Sequence, residues 1–322
     1  MVTATDTLLA EYRALHEEAG LLDRSERGKL AVTGGEAKAF LQGQVTNDVE
    51  GLTPGTGCYA AFLTHKGKML GDLRILDAGD EILLDCERPA LQGLFNLLRR
   101  ATLGRDAELH KRTLQRGLLS LIGPRARALA GAEPAGLPEA EDAHAAAELA
   151  GRPVRLIATD AGGVDVLCLA DDTPAIVAAL REAGATPVSE AAAEIVRVER
   201  GRPRYGAELD DSVIPQEAGL NERAVSFTKG CYVGQETVAR LHYRGKPNRH
   251  LRGLRLSGPA EPGEELRLGE KVVGRLATVV DSPARGPLAL ALVRREAAPG
   301  DTLAVGAGDV RAEVVDLPFI AD

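Results

Sequence analysis

Hydrophobic positions follow two different rhythms along this chain. Up to about residue 245, short apolar strands trade places with amphipathic helical stretches, and beyond it short strands recur between glycines and prolines. Leu8, Tyr12, Leu15 and Ala19 fall on one helical stripe that Asp6 or Thr7 can cap and Gly20 can end. Residues 29–32 read as a strand, Thr33-Gly34-Gly35 as a turn and 36–42 as a short helix. The apolar runs 58–63 and 69–76 flank Thr64-His65-Lys66-Gly67-Lys68, which predicts a hairpin, and 81–86 supplies a third strand. Pro89 opens a helix to about Leu103, and strands follow at 108–111 and 118–122.

A second round of strand, strand and helix comes next. After a short helix at 125–130, the Ala-, Glu- and Pro-rich stretch 132–150 reads as a surface connection. Strands at 154–159 and 164–169 are joined by a turn around Ala161-Gly162-Gly163, and helices follow at 173–183 and 189–199. Residues 201–220 have no period, and so long a structureless stretch in a compact protein tends to wrap a site. From Leu251 onward, six short strands predict a small barrel or sandwich. The expectation is an α+β protein of three lobes: two interwoven α+β units within residues 1–245 and a β-barrel over 246–322.

Composition narrows the function classes. A chain of 322 residues, 44% hydrophobic and 27% charged, exceeds what one core usually sustains. No apolar run approaches the roughly 18 residues of a membrane helix. Met1-Val2-Thr3-Ala4-Thr5-Asp6 lacks a basic region followed by an apolar one, so a cytoplasmic protein without a membrane partner is expected. Cys58, Cys86, Cys168 and Cys231 lie far apart without a CxxC, which favours free thiols in that compartment. A net charge of −8 argues against a general nucleic-acid binder. The segment from Arg240 to Arg252, with four arginines and a lysine, is either a solvated linker or a local basic patch. The six histidines form no ligand spacing, so no metal site is expected.

The densest chemistry lies in Lys229-Gly230-Cys231-Tyr232-Val233-Gly234-Gln235-Glu236. Lys229 and Arg240 can favour a thiolate at Cys231, and Gln235 and Glu236 offer polar partners; the alternative is a structural cysteine in a turn. Asp72 and Asp165 are carboxylates inside apolar strands, costly unless paired, hydrogen-bonded or solvated. Asp72 and Arg74 share a strand face and can form an exposed pair. Gln44, Thr46, Asn47 and Asp48 either line a site or satisfy their own backbone.

Taken together, the octapeptide, Gly43-Gln44-Val45-Thr46-Asn47-Asp48 and Arg197-Val198-Glu199-Arg200-Gly201-Arg202-Pro203 resemble the YgfZ family of folate-binding proteins, relatives of the glycine-cleavage T-protein (aminomethyltransferase) and of a mitochondrial iron–sulfur assembly counterpart. The likeness runs from about Gly20 to the end. It implies a three-domain ring holding tetrahydrofolate, with a terminal barrel and a role in maintaining iron–sulfur enzymes, including tRNA-modifying ones. Cys231 sets the YgfZ group apart from true aminomethyltransferases. Asp72 matches the aspartate that approaches the reactive folate nitrogens. Asp165 matches a carboxylate that pairs with the pterin, one methylene shorter than the usual glutamate. Asn47, Arg197, Tyr205, Lys229, Gln235 and Glu236 complete the expected folate-binding set. Ala193 stands where T-proteins carry an arginine for the glutamate tail of folate, so that contact passes to Arg197 or another cation. An assembly factor using Cys231, with reduced folate and iron–sulfur clients as partners, therefore competes with a folate-dependent aminomethyl or one-carbon transferase using Asp72. A tRNA binder using residues 240–252 is a third and weaker reading.

Overall fold

The computed structural model describes residues 4–160 and 162–320. Ala161 of the turn predicted at 161–163 and Met1–Thr3 of the leader reading lie outside the described residues. The chain divides into two compact units. One comprises the chain up to Leu63 with Leu70–Ala193 and Arg223–Val233; the other comprises Thr64–Met69, Glu194–Glu222 and the chain from Gly234 on.

In the first unit, the predicted hairpin forms from Gly57–Leu63 and Met69–Asp77, followed by Ile82–Cys86. With Gly28–Thr33 and Glu108–Lys111 these strands make a five-stranded sheet. A second sheet, of six strands, runs Thr186–Pro187, Gly20–Asp23, Arg116–Ile122, Val164–Leu169, Arg152–Ala158 and His144–Leu149. Ala31, Leu76 and Leu83 of the first sheet pack on Leu118, Ile157 and Leu167 of the second. Each leucine buried in this way stabilises the stack by roughly 1.5–3 kcal/mol. The other face of the six-stranded sheet is covered by helix Thr173–Glu182 through Ile176 and Leu180, together with Ala126 and Ala130. Strands covered on both sides read as unbroken apolar runs, and any charge inside them meets protein on whichever face it points to.

The second unit holds an antiparallel seven-stranded sheet in the order Lys271–Arg275, Glu265–Leu268, Thr302–Val305, Arg311–Val315, Arg249–Leu256, Gly286–Arg294 and Thr278–Ser282. It curls until Gly274 lies against the carbonyl of Leu292, so close that a Cβ there would meet that oxygen at 2.8 Å. The barrel-like closure surrounds a core of Leu254, Leu266, Val293, Leu303 and Val314. Residues 201–220, read as aperiodic, contain no helix or strand longer than a single bridge. They are nonetheless packed, supplying the buried carboxylates Glu208 and Glu217.

Several readings change. The six strands expected from Leu251 onward are seven, since Lys271–Arg275 and Thr278–Ser282 are separate strands. The connection expected at 132–150 ends in the edge strand His144–Leu149. The basic segment is no linker: its first half lies in helix Gln235–Arg244, while Arg249 and Arg252 enter a barrel strand and pair with Glu217 and Asp316. Among the described residues no helix is long and apolar enough to cross a membrane.

Candidate functional site

Residues 229–233 of the octapeptide and the polar cluster at 44–48 form one construction. Helix Ala37–Gln42 leaves its last carbonyls without partners, as every helix does, and the turn after it adds more. Lys229 satisfies three of them: its Nζ donates to the carbonyls of Gln42 at 2.6 Å, Val45 at 2.8 Å and Asn47 at 2.8 Å. An ammonium has three protons, so the side chain is fully committed. Burial lowers its pKa to about 8. Backbone bonds from Ser226 to Thr46 and from Val233 to Gly43 fasten the loop on either side. Thr46 Oγ1 donates to the carbonyl of Ala224 at 2.6 Å and accepts from the amide of Ala61 at 2.8 Å. Asn47 Nδ2 donates to the carbonyls of Tyr59 at 2.9 Å and Arg223 at 3.2 Å. Thr46, Asn47 and Lys229 therefore act on backbone, and their effect is to hold the 223–233 loop in place.

On that loop Cys231 is exposed, whereas Cys58 is half-buried and Cys86 and Cys168 are buried; all four are free thiols. The Lys229 ammonium expected to face the Cys231 thiolate is spent on carbonyls instead. Gly234 then takes the left-handed conformation, with φ of 85°, and starts helix Gln235–Arg244. Gln235 is half-buried at its first position, and Glu236 and Arg240 are exposed along it.

Asp72 lies on Met69–Asp77 and is only 6% exposed. Tyr59, on the other strand of the hairpin, donates its hydroxyl to Asp72 Oδ2 at 2.5 Å. Burial raises the carboxyl above its ordinary range even though the Tyr59 bond opposes this. The Arg223 guanidinium lies over the Tyr59 ring at 4.1 Å and is itself held by Glu141, with Nε 2.9 Å from Oε1. Asp72, Tyr59, Arg223 and Glu141 thus stand in line, backed by Asn47. The last three were missed by reading the sequence. Tyr59 had a signal, a phenol within an apolar strand of the same hairpin as Asp72; Arg223 and Glu141 had none.

The exposed Asp72–Arg74 pair is not what forms. Arg74 is 12% exposed along its side chain and binds Asp85 through Nε at 2.8 Å and Asp165 through Nη1 at 2.6 Å. Arg27 holds the other side of Asp85, with Nε 2.9 Å from Oδ1. Asp165 also accepts from Ser120 Oγ at 2.6 Å, the residue directly opposite it in the ladder. Both oxygens of Asp165 are thus engaged and its charge is compensated. Arg197, in the second unit, binds Glu194 at 2.7 Å, Glu208 at 2.8 Å and Thr278 at 3.0 Å. It is a hub of that unit's packing and cannot take over a ligand carboxylate without breaking these bonds. Tyr205 sits half-buried in a bridge to Leu209. No group of three or more His, Cys, Asp or Glu among the described residues is arranged to hold a metal ion.

Against known proteins, residues 2–229 match the GCVT N-terminal domain. The chain belongs to the glycine-cleavage T-protein family. Residues 249–320 of this family member match the glycine cleavage T-protein C-terminal barrel domain. A chloroplastic protein of Arabidopsis thaliana, named "Putative transferase", is 29% identical over 313 residues, 94% of this chain and 71% of that protein. The crystal structure of the glycine cleavage system aminomethyltransferase T from Bartonella henselae superposes with a TM-score of 0.86 at 23% identity, covering 97% of this chain and 89% of the other. At that identity the likeness establishes a shared fold.

Proposed function

We propose that this member of the T-protein family is a tetrahydrofolate-binding factor of the YgfZ kind that supports assembly or repair of iron–sulfur enzymes in the cytoplasm, tRNA-modifying ones included. The folate-binding part is assigned to the two interwoven domains within residues 1–245, and the barrel to 246–322. The observation that carries the reading is the exposed Cys231 on a loop whose flanks are fastened by Lys229, Ser226 and Val233. A purely structural cysteine is ordinarily buried, and a reactive one has to be reachable.

The residues present fit a reduced folate at Asp72. This buried carboxylate takes a hydrogen bond from Tyr59 and joins no ion pair among the described residues. The reactive nitrogens of a reduced folate carry N–H donors that such a group accepts. Asp165, neutralised by Arg74, contributes only through its remaining lone pairs. Bound tetrahydrofolate would supply nitrogens able to carry a one-carbon unit. The retained Asp72 with its raised pKa therefore favours a second reading, an aminomethyl or one-carbon transferase, which the name of the Arabidopsis relative also suggests.

A deletion strain assayed for several iron–sulfur enzymes and for glycine cleavage separates the two. The first reading requires the iron–sulfur activities to fall and Cys231→Ser to leave them low; a defect in glycine cleavage alone supports the transferase. Calorimetry with tetrahydrofolate on the wild type and Asp72→Asn tests the folate site, and equal affinities would remove Asp72 from it.

A further inference from the structure

Arg223 is a partly exposed cation linked to Asp72 through Tyr59. Its guanidinium lies over the ring of Tyr59, the residue bonded to Asp72, 4.1 Å from the ring centre. The arginine is anchored from behind: Asn47 holds its carbonyl and Thr46 that of the next residue, Ala224. Its fork is turned to Glu141 through Nε and Nη2. Nη1 makes no hydrogen bond among the described residues. The pair is only partly covered, with the Arg223 side chain 23% exposed and that of Glu141 28%. The pair reaches solvent at its edge, so an incoming carboxylate, which has the same planar geometry as that of Glu141, can take its place on the fork. The two other positions of interest for a ligand carboxylate are closed. Ala193 is a buried methyl group, and Arg197 is saturated by Glu194, Glu208 and Thr278.

We infer that Arg223 receives a carboxylate of the bound ligand, with Glu141 occupying that place in the empty protein and exchanging for it on binding. The inference rests on the folate reading above, and the ligand chemistry it names is a pterin bearing an anionic tail. Glu141 then acts as an internal competitor that sets the affinity for anionic pterins, and Arg223 is the group that favours them over uncharged ones.

The test compares tetrahydrofolate with tetrahydropterin, which has the same ring and no carboxylate, on the wild type, Arg223→Gln and Glu141→Gln, each checked for an unchanged melting profile. Loss of a bidentate charge-assisted contact is expected to weaken tetrahydrofolate binding to Arg223→Gln roughly tenfold or more. Tetrahydropterin binding should not change. Glu141→Gln should bind tetrahydrofolate severalfold more tightly and tetrahydropterin as before, and this gain of affinity cannot come from a damaged fold. Equal losses for both ligands in Arg223→Gln would show that Arg223 only props Tyr59, and would overturn the inference. So would unchanged tetrahydrofolate affinity in both variants. Failure of the wild type to bind tetrahydrofolate at all would bring down the folate reading itself, and this inference with it.

Discussion

Asp142 carries a measurable cost that a single atom exchange should remove. It is 2% exposed, its Oδ1 has no hydrogen-bond partner, and its φ of 63° lies in the left-handed region. Burial pushes the carboxyl up to about 7 from an ordinary 3.8, although Arg74 and Arg223 pull the other way. The folded protein therefore holds a proton that the unfolded chain has already released in this window. Stability falls as pH rises from about 4 to about 7 and is level above that, and the whole effect is about 4 kcal/mol. Between about pH 5 and about pH 8 the wild type should lose roughly 2–3 kcal/mol from this group alone. Asparagine keeps the shape, tolerates positive φ and carries no charge. Asp142→Asn should match the wild type at about pH 4 and exceed it by up to about 4 kcal/mol at about pH 8. Urea unfolding followed across that range reads both curves. Parallel profiles for the two proteins would mean that Asp142 is not desolvated as its burial implies, and the reasoning would fail.

Other expectations concern charges and the loop. Although burial opposes it, Arg27 and Arg74 draw the Asp85 carboxyl down to about 2, so its contribution is fully present above about pH 4 and fades as pH falls through about 2. Asp85→Asn leaves both arginines short of a counter-charge and should cost roughly 3–5 kcal/mol by thermal or urea unfolding near neutral pH; a loss under about 1 kcal/mol would deny that the network matters. Lys229→Met removes three carbonyl bonds and should destabilise by roughly 1–3 kcal/mol, with amide exchange accelerated over residues 223–233 before the rest of the chain. Uniform acceleration would disprove the local role of this lysine. Cys231→Ser, at an exposed position, should change stability by less than about 0.5 kcal/mol yet fail to restore iron–sulfur enzyme activity in a deletion strain. Full restoration would return Cys231 to a structural role.

Much of this architecture is local and therefore written in the chain. Apolar runs on either side of Thr64-His65-Lys66-Gly67-Lys68 define the hairpin, Pro174 and the threonine before it start a helix at 173, and alternation with turn residues after Leu251 marks the barrel strands. Strand His144–Leu149 escaped because its alanines are small and carry almost no alternation, and it is held at a sheet edge by its neighbour Arg152–Ala158. The presence of unusual side chains at Asp72, Asp165, Lys229 and Cys231 was legible too, since charge in an apolar strand and glycines around a thiol are visible in one dimension. What each of them touches was not. Sharing a strand face makes Asp72 and Arg74 neighbours, but stacking a second sheet on that face gives Arg74 Asp165 as a partner, and pairing with the adjacent strand gives it Asp85. Lys229 looked like a companion for the thiol two residues on, yet it serves the carbonyl of Gln42, 187 positions away. A buried charge binds whichever complementary group the folded chain brings nearest, so strand face and sequence spacing reveal that a partner is needed, and only the tertiary packing decides which one it is.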